Sequence, residues 1–129
     1  MEIVCLAADY DGTLAHDGAV DGLTTNALED FKRSVRKLIL VTGRELPDLT
    51  RCFSRLDLFD RVVAENGELL FNPQTKEEQP LAPAPPPDFV NPLRAKNVHP
   101  LSVGRSIVAT WEPNETAVLE AIRELGLEL

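Results

Sequence analysis

An apolar run that ends in two closely spaced acids constrains this chain most. Residues 3–8 read Ile-Val-Cys-Leu-Ala-Ala, and residues 9–14 read Asp-Tyr-Asp-Gly-Thr-Leu. A short apolar run bounded by charge and glycine predicts a strand that is buried on both faces of a parallel or mixed sheet. Ligands bind at the carboxyl ends of the strands in open α/β sheets. The carboxylates of Asp9 and Asp11 are therefore expected at the rim of a binding site.

The spacing of these two acids predicts a metal-assisted reaction at phosphorus. Neighbouring carboxylates repel each other, and burial strengthens the repulsion. A divalent cation relieves it, and Mg²⁺ binds a few carboxylates together with water and phosphate oxygens. One Asp can then attack phosphorus as a nucleophile, while the other protonates the leaving oxygen and later deprotonates water. The alternative is a solvated turn at a strand end, where Asp and Gly are common.

Residues 9–14 resemble the first motif of the haloacid dehalogenase-like superfamily, which reads Asp-x-Asp-Gly-Thr followed by an apolar residue. The resemblance implies that Asp9 is the phosphorylated nucleophile and that Asp11 is the general acid/base. It also implies that Mg²⁺ is held by the Asp9 side chain and the Asp11 backbone carbonyl, and that Gly12 and Thr13 bind the phosphate. Members with the second Asp transfer phosphoryl groups, so the resemblance implies a phosphatase and not a dehalogenase.

A second motif follows the next predicted strand, residues 38–41, and consists of Thr42, Gly43 and Arg44. Strand, helix and strand in this order predict a right-handed βαβ unit, which brings Thr42 to the same rim as Asp9. The Thr42 hydroxyl can donate to a phosphate oxygen or cap the strand end. Val-Thr-Gly-Arg resembles the second motif of those family members that carry a large cap after it. Arg44 either binds phosphate or a substrate anion, or pairs with a structural carboxylate.

Helical spacing predicts two helices beside this unit. The first begins where Thr24, Thr25 and Asn26 offer N-cap side chains and runs to about residue 37. The second has Pro47 in its first turn. The polar, glycine-rich residues 16–22 predict a loop.

Asn66 and Gly67 separate a third predicted strand, residues 62–64, from a further apolar run at 69–71. Asn-Gly between apolar runs predicts a β-hairpin, and this alone explains Asn66 structurally. In capped members of the resembling family, an Asn-Gly pair at this place lies near the active site. The resemblance therefore makes Asn66 a candidate substrate-binding residue.

The rest of the chain predicts a linker and part of a second unit. Residues 73–100 are rich in proline and contain no glycine, which predicts an extended, semi-rigid linker or, alternatively, a polyproline ligand. A strand at 106–111, a helix ended by Gly126 and a strand beginning at 127–129 should follow. This order resembles the start of an α/β cap. The expected division is a core at 1–72, a linker at 73–100 and a partial cap at 101–129.

The fold class expected from these patterns is α/β, with a Rossmann-like core, a parallel sheet and part of an α/β cap. The chain has 129 residues with 43% hydrophobic and 26% charged residues, which is ordinary for one globular domain with a small appendage. A net charge of −8 argues against nucleic acid as a partner, because phosphate backbones need a basic face. No apolar run approaches the length of a membrane span, and no signal peptide is expected.

The two cysteines, Cys5 and Cys52, match neither a metal pattern nor a redox pair. They are expected to be small, reduced core residues, as in a cytoplasmic protein. The first strand is expected to leave one edge open, and open edges pair with other chains. A homodimer through strand edges is therefore an expectation as well.

Two later motifs implied by the resemblance have no match in this sequence. One supplies a Lys that neutralises the phosphoaspartate, and the other supplies one or two Asp residues for the Mg²⁺ site, whereas Lys76 and Lys96 fall in the predicted linker. The sequence thus predicts part of an Mg²⁺-dependent phosphomonoester hydrolase that acts through an aspartyl-phosphate on a small phosphorylated metabolite. The alternatives are a phosphoacceptor signalling domain and a non-catalytic fragment that binds metal or assembles with a partner.

Overall fold

The computed structural model describes residues 2, 4–34 and 36–127. The chain divides into two compact units, Met1–Leu81 and Ala82–Leu129, and each is described by itself. Among the described residues, no helix is both long and apolar enough to cross a membrane.

A five-stranded mixed sheet forms the centre of the first unit. Its first three strands run parallel and the last two continue as antiparallel hairpins, which confirms the predicted α/β class and the βαβ unit. In sheet order the strands are β1 (Cys5–Asp9), β4 (Lys37–Val41), β5 (Arg61–Ala64), β6 (Leu69–Asn72) and β7 (Glu77–Pro80).

Two helices, α1 (Gly22–Arg33) and α2 (Leu46–Cys52), belong to this unit. The prediction for α1 is wrong at both ends. Its N-cap is Asp21, whose Oδ1 accepts from the Thr24 N–H at 2.7 Å, because an Asp one residue before the helix reaches the unpaired N–H groups of its first turn. The helix ends at Arg33, since the chain enters β4 at Lys37.

A small hairpin occupies part of the segment 16–22 that was predicted as a loop. Its strands are β2 (Ala15–His16) and β3 (Ala19–Val20). Asp17 and Gly18 join them with φ of 51° and 81°, and two left-handed residues are what a tight type I′ turn requires. The Asp-Gly pair was the signal for this hairpin in the sequence.

Alternation along the strands places the core on one face of the sheet. Leu38 and Leu40 of β4 and Val62 of β5 are fully buried, whereas Lys37 and Arg61 are exposed. The buried face packs against apolar side chains of the helices and the following turns, which are Leu28, Leu46, Leu49, Phe53, Leu56 and Phe59.

The first strand is not buried on both faces, contrary to the prediction. Cys5, Leu6 and Ala7 are exposed and only Ala8 of β1 is buried. The reason is its position: β1 ends the sheet and, within the described part of the chain, pairs with β4 alone. The prediction of buried cysteines fails for the same reason at Cys5, and Cys52, at the end of α2, is also free and exposed.

Within its described residues, 82–127, the second unit contains two helices and a two-stranded antiparallel sheet. Leu93, Val98 and Ala121 form its core. The helix α4 (Glu115–Leu125) confirms the predicted one, and Gly126 ends it with a left-handed φ of 66°. The elements are α3 (Pro87–Ala95), β8 (Leu101–Val103), β9 (Val108–Thr110) and α4 (Glu115–Leu125).

The prediction of an extended linker at 73–100, which was based on proline content, is wrong. Strand β7 and helix α3 both lie within this range. Pro87 stands at the start of α3, where a proline costs no hydrogen bond, and the buried Leu93 packs the helix into the core of the unit. The predicted strand at 106–111 is shorter, and the one beginning at 127–129 lies largely outside the described residues, with Leu127 itself in no strand.

Candidate active site

The carboxyl end of β1 presents Asp9 at the edge of the sheet. Asp9 lies beside Val41 in the parallel register, and the Tyr10 N–H donates to the Val41 carbonyl at 3.1 Å. The Asp9 Oδ1 also accepts from the Tyr10 N–H at 2.9 Å. The side chain of Asp9 is therefore oriented by its own strand end while the residue stays exposed.

The chain folds back sharply after Asp9. The Tyr10 carbonyl faces the N–H groups of Thr13, Leu14 and Ala15 at 3.3, 3.1 and 2.9 Å, and Gly12 takes a φ of 76°, which favours glycine. Tyr10 anchors this turn, because its ring is fully buried against Phe53. The turn carries Asp11, Gly12 and Thr13 as exposed residues beside Asp9.

Thr42 lies at the end of β4, the strand next to β1, as the βαβ prediction requires. It is buried, its N–H donates to the Val63 carbonyl at 2.9 Å, and its carbonyl accepts from the Asn66 N–H at 3.2 Å. The Thr42 Oγ1 accepts from the Arg44 N–H at 3.0 Å. Because the hydroxyl acts as an acceptor there, its proton can still be donated to another group.

Asn66 reaches the same place from β5. Glu65 and Asn66 both have left-handed φ values, 51° and 57°, so the chain turns tightly between β5 and β6 and confirms the predicted hairpin. The turn brings the Asn66 Oδ1 close to Gly43, where a Cβ atom would lie 2.6 Å from it. The ends of three neighbouring strands thus bring Asp9, Thr42 and Asn66 to one edge of the sheet.

Arg44 pairs with carboxylates, one of the two alternatives that the sequence left open. Its Nε and Nη2 donate to the two oxygens of Asp11 at 2.8 and 2.9 Å, which is a bidentate pair. Its Nη1 donates to Asp48 Oδ2 at 2.8 Å and to Cys52 Sγ at 3.4 Å. The guanidinium also lies 5.5 Å from the centre of the Tyr10 ring.

These contacts shift the protonation equilibria of the site. The hydrogen bonds from Arg44 hold the pKa of Asp11 below its usual range, although partial burial opposes them. The same pair, assisted by Asp48, raises the pKa of Arg44. Burial raises the pKa of the Tyr10 hydroxyl, which donates to the Gly18 carbonyl at 2.8 Å. Asp11 is consequently ionised at neutral pH in this arrangement.

Sequence reasoning missed Tyr10 and Asp48. Tyr10 occupies the variable position between two acids, so nothing in the neighbouring sequence predicts that it is buried. Asp48 follows Arg44 by four residues, which places it in the first turn of α2 while Arg44 directly precedes the N-cap Glu45. That spacing was the available signal for the Arg44–Asp48 pair.

The donor set suits one part of a Mg²⁺ site. Among the residues that the structure describes, no group of three or more His, Cys, Asp or Glu side chains could hold a metal ion. Asp9 is an exposed carboxylate, whereas both oxygens of Asp11 are occupied by Arg44. A single carboxylate with a backbone carbonyl fits Mg²⁺, since this ion keeps several waters and binds phosphate oxygens as well.

Comparison with known proteins identifies the family. The family model for haloacid dehalogenase-like hydrolases matches residues 6–119. The chain belongs to this family. No match to a curated protein sequence was found.

Solved structures of the same family share the fold of this haloacid dehalogenase-like chain. A haloacid dehalogenase-like hydrolase from B. subtilis is 29% identical, with a TM-score of 0.50 over 56% of this chain and 26% of its own. A subclass IIB sugar phosphatase is 25% identical, with a TM-score of 0.56 over 97% of this chain and 50% of its own. A hydrolase from Bacteroides thetaiotaomicron, at 18% identity, has a TM-score of 0.63 over 98% and 50%. The chain thus spans half or less of the length of these structures.

Proposed function

We propose that this chain supplies the nucleophile and the general acid/base of an Mg²⁺-dependent phosphomonoester hydrolase that works through an aspartyl-phosphate. The observation that carries the proposal is the arrangement of Asp9, Asp11 and Thr42 at the ends of two adjacent parallel strands. Membership in a family of hydrolases supports the same reaction class. The lysine and the later acids implied by the family resemblance have no counterpart in this sequence.

The proposed reaction has two steps, both centred on Asp9. An Asp9 carboxylate oxygen bonds to phosphorus, the ester P–O bond breaks, and protonated Asp11 gives its proton to the leaving alcohol oxygen. Asp11, now a carboxylate, takes a proton from water as the water oxygen bonds to phosphorus. The bond between Asp9 and phosphorus then breaks, so the ester and water become an alcohol and inorganic phosphate.

The pairing of Asp11 with Arg44 bears on both steps. The ionised form that this pairing favours is the form that the second step needs. The first step needs protonated Asp11, so the hydrogen bonds from Arg44 to Asp11 have to weaken when the ester is bound. In this proposal the bound substrate itself supplies that change.

The remaining site residues are assigned to the phosphate and to the metal. Thr42 and the exposed Thr13 donate hydroxyl protons to phosphate oxygens, and Gly12, Gly43, Arg44 and Asn66 border the substrate. The N–H groups of Gly12 and Thr13 hold the turn itself, since they donate to the Ala15 and Tyr10 carbonyls. Mg²⁺ would be held by the Asp9 carboxylate and the Asp11 carbonyl. When bound, Mg²⁺ neutralises charge on the phosphoryl oxygens and lowers the repulsion between them and Asp9.

A small phosphorylated metabolite is the proposed substrate, with a sugar phosphate as the first class to try. Support comes from the sugar phosphatase that is 25% identical over 97% of this chain. Asp9, Asp11 and Thr13 are exposed, so a small anionic group can reach them at the strand ends.

The test measures phosphate release from p-nitrophenyl phosphate and from a panel of sugar phosphates by the protein that carries this sequence. Asp9→Asn should abolish turnover, because an amide cannot attack phosphorus. Asp11→Asn should slow it by roughly 10²- to 10⁴-fold, the usual range for a general acid/base. The control Asp30→Asn changes an exposed Asp that pairs with Arg33 on α1 and should leave turnover unchanged.

Two outcomes would contradict the proposal. Full activity of Asp9→Asn would remove Asp9 from the reaction. An aspartyl-phosphate on Asp9 that persists without hydrolysis in the unmodified protein would favour the phosphoacceptor alternative.

A further inference from the structure

Asp48 lies one contact away from the proposed acid/base and has no role in the reaction described above. Its Oδ2 accepts from Arg44 Nη1 at 2.8 Å, while Arg44 Nε and Nη2 hold both oxygens of Asp11. One planar guanidinium therefore bridges two carboxylates. We propose that Asp48 is a positioning residue that acts through Arg44 to orient the Asp11 carboxylate; this inference rests on the proposed function.

The geometry explains why the second carboxylate matters. Guanidinium donors lie in one rigid plane, so a contact to Nη1 also fixes the direction of the Nε and Nη2 donors. Asp48 stands in the first turn of α2, a helix whose buried Leu46 and Leu49 anchor it to the core. Asp11 sits on an exposed turn, and its contacts through Arg44 to Asp48 connect it to the packed part of the unit.

Asp11 depends on this support because little else restrains its side chain. The Asp11 side chain is 52% exposed, whereas those of Arg44 and Asp48 are 26% and 37% exposed. Arg44 is further held by the Tyr10 ring and by Cys52 Sγ, but neither contact sets the guanidinium plane as a carboxylate does. Small misplacements of a catalytic group are costly for rate, so loss of Asp48 should act on the chemical step.

The kinetic test compares Asp48→Ala with two matched variants under the phosphatase assay. Asp48→Ala should lower kcat by about tenfold, the low end for removal of a supporting partner, with KM unchanged because Asp48 does not touch the substrate. Asp48→Glu keeps a carboxylate and should recover part of kcat. Arg51→Ala breaks only the 3.1 Å contact between Arg51 and Asp48 and should leave kcat unchanged.

A second readout does not depend on activity. In ¹⁵N-labelled protein, the Arg44 Nε–H should exchange with water faster in Asp48→Ala than in the unmodified chain, and at an unchanged rate in Arg51→Ala. Full activity of Asp9→Asn would contradict the proposed reaction. The exchange measurement would still test the contact between Asp48 and Arg44 in that case. Unchanged kcat in Asp48→Ala, or unchanged Arg44 exchange, would overturn the positioning role.

Discussion

A Cβ atom on Gly43 would lie 2.6 Å from the Asn66 Oδ1. The close approach exists because Gly43 follows β4 and Asn66 follows β5, and the two strands are parallel neighbours. Any side chain at position 43 therefore competes with the side chain of Asn66 for the same space at the edge of the site.

Gly43→Ala should displace the Asn66 side chain and raise KM for a phosphate ester. The cost in stability should stay below about 1 kcal/mol, since Asn66 is exposed and can rotate. In an Asn66→Gly background, which suits the φ of 57° at that position, Gly43→Ala should cause no further change in KM.

The matched control for this cycle is Gly22→Ala, because nothing lies within 4 Å of a Cβ at Gly22. KM values and denaturant unfolding of the four variants complete the measurement. An equal rise in KM in both backgrounds would mean that Gly43 acts through something other than Asn66.

The exposed edge of β1 leads to a prediction of self-association, which we propose for this chain. The Val4 carbonyl accepts from the Lys37 N–H, and the Tyr10 N–H donates to Val41, so the even-numbered residues of β1 turn their backbone groups toward β4. Cys5 and Ala7 turn theirs outward. Antiparallel pairing about a twofold axis at Leu6 would join each Cys5 to the Ala7 of a second copy without opposing like charges.

Leu6→Lys and Leu6→Glu test this arrangement by light scattering. Leu6 is 39% exposed, so either substitution is compatible with the fold. Each variant alone should be monomeric, because like charges would face each other across the axis. An equimolar mixture should dimerise again, and a monomeric unmodified chain would contradict the proposal.

Disulfide trapping in a Cys5→Ala, Cys52→Ala background gives an independent check of the register. Leu6→Cys should cross-link two copies, since directly opposed residues in a non-hydrogen-bonded pair have Cα atoms about 4.5 Å apart, within the reach of a disulfide. Val4→Cys should not, because the two substituted positions would lie about four residues apart along the strands. Efficient cross-linking by both variants would exclude the Leu6 axis.

Low pH should reduce the stability of the first unit against unfolding through protonation of Asp60. Burial alone would raise the pKa of Asp60, but hydrogen bonds from Lys32 Nζ at 2.6 Å and from the Leu38 N–H at 2.9 Å outweigh it and lower this pKa. The folded pKa lies below the unfolded value of 3.8, so the stabilisation is present above that value and is lost as pH falls through the folded pKa.

Asp60→Asn should therefore flatten the pH dependence of unfolding below about pH 4 and lower stability at pH 7 by about 1.5–3 kcal/mol, the range for hydrogen bonds to a charged group. Urea unfolding at several pH values measures both effects. Asp30→Asn, on the exposed side of α1, is the control. An unaltered acid limb in Asp60→Asn would assign the acid sensitivity to other groups.

Mg²⁺ should bind this chain with at best about millimolar affinity. Within the described residues the proposed site offers the Asp9 carboxylate and the Asp11 carbonyl, and Mg²⁺ completes such a site with water. Titration calorimetry should lose the signal in Asp9→Ala and keep it in Asp30→Asn. Tight binding that survives Asp9→Ala would place the metal elsewhere.

Local patterns in the sequence were enough to predict the strands that carry the site. Apolar runs ending in Asp9 and Thr42 predicted parallel neighbours, and Asn-Gly at 66–67 predicted the hairpin, because each signal depends on residues adjacent in the chain. Exposure of Cys5 could not be predicted in this way, since it depends on which elements pack beside β1. The pairing of Arg44 with Asp11 could not be predicted either, because it depends on the distance between two loops, and no local pattern gives that distance.

Errors in the second half have a different origin. Proline was interpreted as a sign of extended chain, yet its effect depends on position within an element, and Pro87 falls where a helix tolerates it. Burial of Leu93 against Val98 and Ala121 then outweighed the local preference. Such packing between distant residues decides the outcome wherever intrinsic preferences are weak.

The strand order also sets an order of assembly. Strands β5, β6 and β7 are joined by short turns, whereas Cys5 meets Lys37 only after the β2–β3 hairpin and α1 have been passed. Closing the longer loop costs more entropy before any contact repays it. In pulsed hydrogen exchange during refolding, amides of β6 should become protected before those of β1, and the reverse order would show that β1 forms early. If β6 is protected first, Asp9, the proposed nucleophile, is the last part of its own sheet to be placed.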